Sequence, residues 1–305
     1  MALSWPKPVW EERSIAIMSA GTKLNFLVTG ANSGFGLAFT EAAARAGHIV
    51  HAGLRDFTRG AALEQLRDEG LAVTPVRLDV TKPQDIETAV AIAAAGQQID
   101  VLVNNAGYEV LGPIETLTDD DFRAQFETNV YGPVRLIRAV VPAMRARRQG
   151  RIVNVTSVMG HIAVPHRGAY SASKHAFEAI SKTLWLELRP FDIPVVVIVP
   201  GTYATSFAAN YVYVQGFTEN SAYWPAELEL REKMGGFIKV HQPNNLISDA
   251  AQSMLLASTE PDPPFHWVIG SDAVELVPAT HAKPLERFVG DWFGALGMNA
   301  FQDLT

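Results

Sequence analysis

The feature that most constrains this fold is an alternation. Short runs rich in Val, Ile and Leu at residues 24–29, 48–54, 73–79, 100–104, 151–157, 194–199 and 266–269 are separated by stretches that read as helices at 36–46, 59–69, 84–95, 119–144, 170–189 and 248–258. Continuous apolar runs of this kind mark strands buried on both faces. Right-handed crossovers can join such strands only by laying helices on both sides of a parallel sheet. The expected fold is therefore doubly wound α/β, with a mostly parallel sheet of about seven strands. With 48% hydrophobic and 19% charged residues, the 305-residue chain can fill a large core and is too apolar for a disordered polymer. No repeat or linker divides it, so residues 23–305 read as one domain. Residues 1–22 read as an N-terminal extension; Lys7, Glu11, Glu12 and Arg13 interrupt any apolar stretch of the kind a secretion signal needs. One long stretch, about 203–245, is rich in Tyr, Phe, Trp and Gly and is expected to be an irregular lid.

Charge and composition exclude several classes. A net charge of −7 would repel a phosphate backbone, and the only basic cluster is Arg145, Arg147, Arg148 and Arg151, so nucleic acid is not an expected partner. The absence of cysteine removes disulfides, thiolate metal sites and a cysteine nucleophile. The longest uncharged run, residues 193–218, is broken by Pro194, Pro200 and Gly201, which is unlike a membrane span. A cytoplasmic protein is expected.

The first strand leads into Gly30-Ala31-Asn32-Ser33-Gly34-Phe35-Gly36 and then a helix. Glycines there let backbone amides approach a pyrophosphate at a helix N-terminus. A glycine triplet alone is weak evidence, because a plain strand–helix turn can look the same. Its spacing, however, resembles the short-chain dehydrogenase/reductase family, and further motifs follow in that family's order. Asn104-Asn105-Ala106-Gly107 follows the fourth strand, Asn129 lies in the next helix, Ser157 ends the fifth strand, Tyr170 and Lys174 form Tyr-x-x-x-Lys, and Pro200-Gly201 follows the sixth strand. The resemblance spans roughly residues 23–275. It implies a Rossmann-type fold, a nicotinamide cofactor, and catalysis by Asn129, Ser157, Tyr170 and Lys174.

The chemistry is legible in part from spacing. Tyr170 and Lys174 stand four apart on one helix face, so both can reach one ligand. A tyrosine ionises near pH 10, and a neighbouring ammonium is expected to lower that value toward the range useful for acid–base work. The Ser157 hydroxyl is expected to polarise a substrate carbonyl. By the resemblance, Lys174 also bonds the nicotinamide ribose and Asn129 holds a relay water. Taken alone, each has a bland reading: a solvated helix lysine, a strand-end serine, an amide bonded to backbone.

Cofactor choice rests on the end of the second strand, where an acidic residue binds the ribose hydroxyls of NAD and an arginine accommodates the phosphate of NADP. Leu54-Arg55-Asp56 stands there, a pattern similar to NADP-using members of the family, the estrogenic hydroxysteroid dehydrogenases among them. NADP(H) is favoured over NAD(H), with Asp56 reaching the ribose as the alternative should the strand run longer. By the resemblance, Asp79 and Val80 contact the adenine, Asn105, Ala106 and Gly107 border the cofactor, and Pro200, Gly201, Tyr203 and Thr205 approach the nicotinamide. Tyr203 departs from the family's usual Val or Ile. The aromatics Tyr203, Phe207, Tyr211, Tyr213, Phe217, Tyr223, Trp224 and Phe237 either line an apolar or ring-bearing substrate or pack the lid to the core. His161 and His166 lie near the active-site strand, but no pair shows metal-ligand spacing with carboxylate support, so no metal is expected. The expected activity interconverts a ketone and a secondary alcohol in a homodimer or homotetramer. A sugar-nucleotide epimerase and a nucleotide-sensing regulator are the alternatives. Intact Asn129, Ser157, Tyr170 and Lys174 argue against the regulator, and the glycine spacing and lack of a larger C-terminal domain argue against the epimerase.

Overall fold

The computed structural model describes residues 23–298; the N-terminal extension expected at 1–22 lies outside them. The strands are β1 (Asn25–Thr29), β2 (Ile49–Leu54), β3 (Val73–Arg77), β4 (Val101–Asn104), β5 (Val110–Leu111), β6 (Arg151–Val155), β7 (Val195–Pro200), β8 (Val212–Tyr213) and β9 (His266–Ile269). The helices are α1 (Gly34–Arg45), α2 (Ala61–Asp68), α3 (Pro83–Ala94), α4 (Asp119–Phe126), α5 (Gly132–Arg147), α6 (Gly168–Leu188), α7 (Trp224–His241), α8 (Ile247–Thr259), α9 (Ser271–Ala282) and α10 (Leu285–Ala295).

Seven strands form one parallel sheet in the order β3-β2-β1-β4-β6-β7-β9, and β5 pairs with β8 in a separate ribbon. This is the expected doubly wound Rossmann-type fold. Successive residues of β1 show why its run is continuously apolar. Phe26 and Val28 join the core layer with Phe39 of α1 and Met254 of α8, while Leu27 joins the layer with Ile137 of α5 and Phe177 of α6. The chain leaves β1 toward β2 on one side and returns to β4 on the other. A crevice therefore opens at the carboxyl ends of β1 and β4, where ligands bind in open α/β sheets.

Three departures from expectation matter. The helix expected over 119–144 is two helices joined by a π turn, Glu127–Tyr131. Pro133 has no N–H to give to residue 129 four positions back, so the ladder widens and the Gly132 N–H bonds the Glu127 carbonyl instead. The stretch about 203–245 is not irregular throughout: it contributes β8 and the 18-residue helix α7. Finally, α9 and α10 pack Leu276, Phe288 and Trp292 onto Val197 and Val199 of β7 together with Leu230 of α7. The basic cluster is structural: Arg151 donates to the carbonyls of Ala257 (2.9 Å) and Glu260 (2.6 Å) at the end of α8, and Arg148 pairs with Asp192. Among the described residues no helix is long and apolar enough to cross a membrane.

Candidate active site

At the crevice, two loops meet backbone to backbone. Gly30 has φ +63°, and a Cβ there would lie 2.9 Å from the Ala106 Cα; a side chain at Gly36 would collide with the Gly30 carbonyl. The Asn105 amide donates to the carbonyls of Thr29 (2.9 Å) and Gly30 (3.2 Å). In return the Thr29 hydroxyl accepts from the backbone N–H groups of Asn105 and Ala106, each at 2.9 Å. These bonds fix the β1–α1 turn against the loop after β4. Ser33 caps α1 without a side-chain hydrogen bond, so no cap side chain competes for the first-turn amides that favour an anion. A cleft of about 480 Å³ opens over this frame. Asn32, Ser33, Gly34 and Phe35 line it with Gly107, Pro200 and Gly201, and the other sequence-predicted positions follow except Gly36 and Asn129, which lie behind its wall.

The end of the second strand carries both residues on which the cofactor alternatives rest, and Arg55 and Asp56 both line the cleft. The strand ends at Leu54, and Asp56 caps the following 3-10 turn, accepting from the Thr58 N–H (2.9 Å) and hydroxyl (2.7 Å). These bonds hold its carboxyl below the ordinary range. Arg55 lines the cleft, and so does Arg59, which the sequence reading did not single out. Asp79 accepts from the N–H and hydroxyl of Thr81, and Val80 packs against Gly132.

The four catalytic candidates gather around α6. Lys174 is buried, its ammonium 5.7 Å from the Tyr170 ring centre and bonded to the Val155 carbonyl at 3.0 Å. Burial pushes it down to about 8, against the pull of Glu178 and Glu109. Tyr170 shifts oppositely to expectation: burial, then the charge of Glu109, push the phenol well above its ordinary value, while hydrogen bonding with Ser157 opposes them. The Ser157 hydroxyl accepts from the Met159 N–H at 3.1 Å. Asn129 sits in the π turn and donates to the Tyr108 carbonyl and the Ser173 hydroxyl, each at 3.1 Å. A Cβ at Gly107 would meet the Asn129 carbonyl oxygen at 3.2 Å and the Lys174 ammonium at 3.8 Å, so this glycine keeps the space between them clear.

The far end of the cleft is apolar. Of the eight aromatics singled out within residues 203–237, Tyr203, Phe207, Tyr211 and Phe237 line it, with Tyr203 edge-on to Phe35 at 5.0 Å and Phe207 5.9 Å from Tyr170. Phe217 and Trp224 instead pack with Val110 and Val214, beside Tyr213 and Tyr223. Thr205 lies across the glycine turn, 3.7 Å from a Cβ built at Gly34. Met234, Leu276 and Trp292 complete the lining from α7, α9 and α10.

Sequence reading missed several groups. Glu109 lines the cleft, 4% exposed, 3.4 Å from Arg167, and burial pushes its carboxyl up to about 7 despite Arg167 and Lys174. A lone charge within an otherwise apolar run, Val110-Leu111 following it, was the available signal. Buried Asp272 holds the turn after β7 by accepting from the Thr202 N–H (2.6 Å) and the Asn245 amide (2.9 Å). The histidine reading is also corrected, since tertiary structure supplies both with carboxylates: His166 meets Glu227 at 2.9 Å, and His161 meets Glu178 alongside His266.

A family profile described as short chain dehydrogenase matches residues 25–213. The chain belongs to the short-chain dehydrogenases. It is thereby an NAD(P)-dependent oxidoreductase by class. Similar proteins include the 3-ketodihydrosphingosine reductase of Bacteroides thetaiotaomicron, 37% identical over 60% of this chain and 65% of that one. Retinol dehydrogenase 8 of Bos taurus is 38% identical over 59% of each chain. The chain thus matches less than two thirds of the length of these two relatives. A short-chain dehydrogenase from Streptomyces avermitilis superposes with a TM-score of 0.74 at 33% identity, covering 90% of this chain and 98% of the other.

Proposed function

We propose that this short-chain dehydrogenase uses NADP(H) to interconvert a ketone and a secondary alcohol on a largely apolar or ring-bearing substrate. The observation that carries the cofactor choice is that Arg55 and Arg59 both line the cleft beside the second strand, where Asp56, also in the lining, accepts from Thr58 through one oxygen. Two guanidiniums suit a ribose phosphate, and the Asp56 carboxylate has one of its two oxygens engaged by its own turn. The dinucleotide would lie along the β1–α1 turn, with Gly30, Asn32, Ser33, Gly34 and Phe35 at its pyrophosphate and Asn105, Ala106 and Gly107 opposite.

A nicotinamide held in this cleft would supply or accept the hydride. As a substrate carbonyl carbon gains that hydride, its oxygen takes the π electrons and the phenol proton of Tyr170. Burial keeps the phenol protonated and also makes it a weaker acid, so its proton passes only as the arriving hydride makes the carbonyl oxygen strongly basic. Ser157 steadies the same oxygen with its hydroxyl. Lys174, near 8 and 5.7 Å from the Tyr170 ring centre, carries a charge that favours the phenolate left behind. Asn129 braces the Tyr108 backbone at the edge of that space.

Phe207, Tyr211, Phe237, Leu276 and Trp292 favour a substrate with a large hydrocarbon body. Retinol and 3-ketodihydrosphingosine, named for two relatives, are both mostly hydrocarbon. Screening purified protein against ketones graded in apolar size, with NADPH and NADH consumption followed by absorbance, tests this reading. Faster NADPH oxidation with larger apolar ketones is expected; turnover with NADH alone, or only with small polar ketones, overturns it. We also propose self-association through α4, the π turn, α5 and α6, where Tyr131 of the π turn and Leu186 of α6 stand exposed. Light scattering should give a mass well above the 33.2 kDa protomer.

A further inference from the structure

Behind the turn that begins at Ser157, three side chains from distant segments converge. His161 follows the 3-10 turn Val158–Gly160, Glu178 lies one helical turn beyond Lys174 on α6, and His266 opens the edge strand β9. The Glu178 carboxylate lies 2.9 Å from the His266 Nε2 through one oxygen. Its other oxygen accepts from the Thr156 hydroxyl at 2.6 Å and lies 3.4 Å from the His161 Nε2. The His161 side chain is only 7% exposed, and its Nε2 makes no hydrogen bond. Buried polar atoms are rarely left in that state, so a missing partner calls for an explanation. The His281 ring stands 6.0 Å from that of His161.

We propose that His161, Glu178 and His266 form a binding site for a divalent transition-metal cation of the zinc class, separate from the dinucleotide cleft. Two imidazoles and a carboxylate are the donor set such cations take, with a fourth position left for water. Bonds of 2.0–2.2 Å in tetrahedral geometry place donor atoms about 3.4 Å apart. The donor atoms here all lie within 4.8 Å of one another, so closure asks for a side-chain shift of at most roughly 1.5 Å by that geometry. His266, 31% exposed on an edge strand, has the freedom to make it. A self-contained ion-pair triad explains the cluster less well. In such a triad the His161 Nε2 would bond Glu178 directly, whereas it lies 3.4 Å from the nearer carboxylate oxygen and makes no hydrogen bond to it. A cation would satisfy the orphaned nitrogen and clamp the turn after β6, helix α6 and strand β9 together.

The test uses the full chain, freed of any affinity tag and stripped with a chelator. Titrated Co²⁺ should bind as one equivalent and give the visible absorption of a tetrahedral site, and Zn²⁺ should displace it. At a hundredfold excess over Kd, Zn²⁺ should raise Tm by about 5 °C or more. His161→Gln and His266→Gln should each abolish the cobalt band and weaken binding by ~100-fold or more. Because His161 is buried, its variant could lose stability for other reasons, and the exposed-edge variant His266→Gln decides alone. Wild-type-like binding by H266Q, or no one-equivalent cobalt site in the wild type at millimolar metal, overturns the proposal. Neither readout depends on turnover, so failure here leaves the oxidoreductase reading untouched.

Discussion

The two walls of the cleft keep their shape by different means. The dinucleotide wall is backbone against backbone, with Gly30 against Ala106, Gly36 against the Gly30 carbonyl, and the Thr29 and Asn105 side chains stitching main-chain groups together. The opposite wall is side chain against side chain, contributed by the segment after β7 and by α7, α9 and α10. A backbone-built wall admits few residue types, since any Cβ at Gly36 strikes a carbonyl. A side-chain wall admits any apolar group of suitable volume. The first therefore writes a motif into the chain and the second does not.

Tyr170 stands at the seam of the two walls, and breaking it should have the largest effect. Tyr170→Phe keeps the ring packed beside Phe207 and removes only the proton, so kcat should fall by about 10²–10⁴-fold while NADPH affinity barely changes. Near-normal kcat would remove Tyr170 from the chemistry. An equal loss of cofactor affinity would mean that the walls are not separable there.

That contrast also accounts for what the sequence disclosed. The strands buried on both faces, the glycine turn, Asn105, Ser157, Tyr170 and Lys174 were legible because periodicity and close backbone approach demand particular residues at particular spacings. Arg59, Arg167, Asp272 and Trp292 reach the cleft only through tertiary folding, so no local pattern announces them. The break at the π turn had a signal, Gly132-Pro133, that the apolar period overrode. Helix α7 was hidden by Gly235 and Gly236 within it; it is anchored by buried Glu227 and Leu230, contacts no local pattern reveals. The expected depression of the Tyr170 pKa was reversed by desolvation, a quantity that spacing does not carry.

Glu109 is a buried carboxyl on the seam toward the substrate side, and neutralising it sharpens the comparison. Its folded value near 7 lies above the ordinary 4.5. Between those values the folded protein keeps a proton that the unfolded chain has released, so wild-type stability falls as pH rises through that window, by up to about 3 kcal/mol. Glu109→Gln has no proton to lose. Its stability relative to wild type should climb across the same interval and level off above pH 7, as urea unfolding on either side of the window would reveal. A constant difference between the two proteins would mean that Arg167 holds Glu109 ionised throughout.

A smaller effect is expected on the dinucleotide wall. Arg55→Ala should weaken NADPH binding by about 1.5–3 kcal/mol, the worth of hydrogen bonds to a charged group, and leave NADH unaffected. Titrating both cofactors against both proteins measures it. Equal losses, or a wild-type preference for NADH, would return the ribose to Asp56.

The smallest effect concerns whether the side-chain wall opens as a unit. An irregular lid would leave Arg231 open to trypsin, but its guanidinium sits 4.8 Å from the Trp224 ring and 4.9 Å from the Tyr213 ring, and it pairs with buried Glu227 at 2.8 Å. Glu227 is tied in turn to His166 and Arg167, beside the turn that starts α6. Trypsin can reach Arg231 only if α7 leaves those partners, whereas a non-specific protease can cut the exposed residues 218–220 without any such motion. If α7 is a lid, NADPH with an apolar ketone analogue should slow trypsin several-fold at Arg231, and cutting at 218–220 should change little. Slowing at both sites would mean that the ligand orders the whole segment. Resistance of Arg231 to trypsin with and without ligand would make α7 a permanent part of the wall, as fixed as the glycine turn it faces, and substrate would then have to enter past Phe207 and Tyr211.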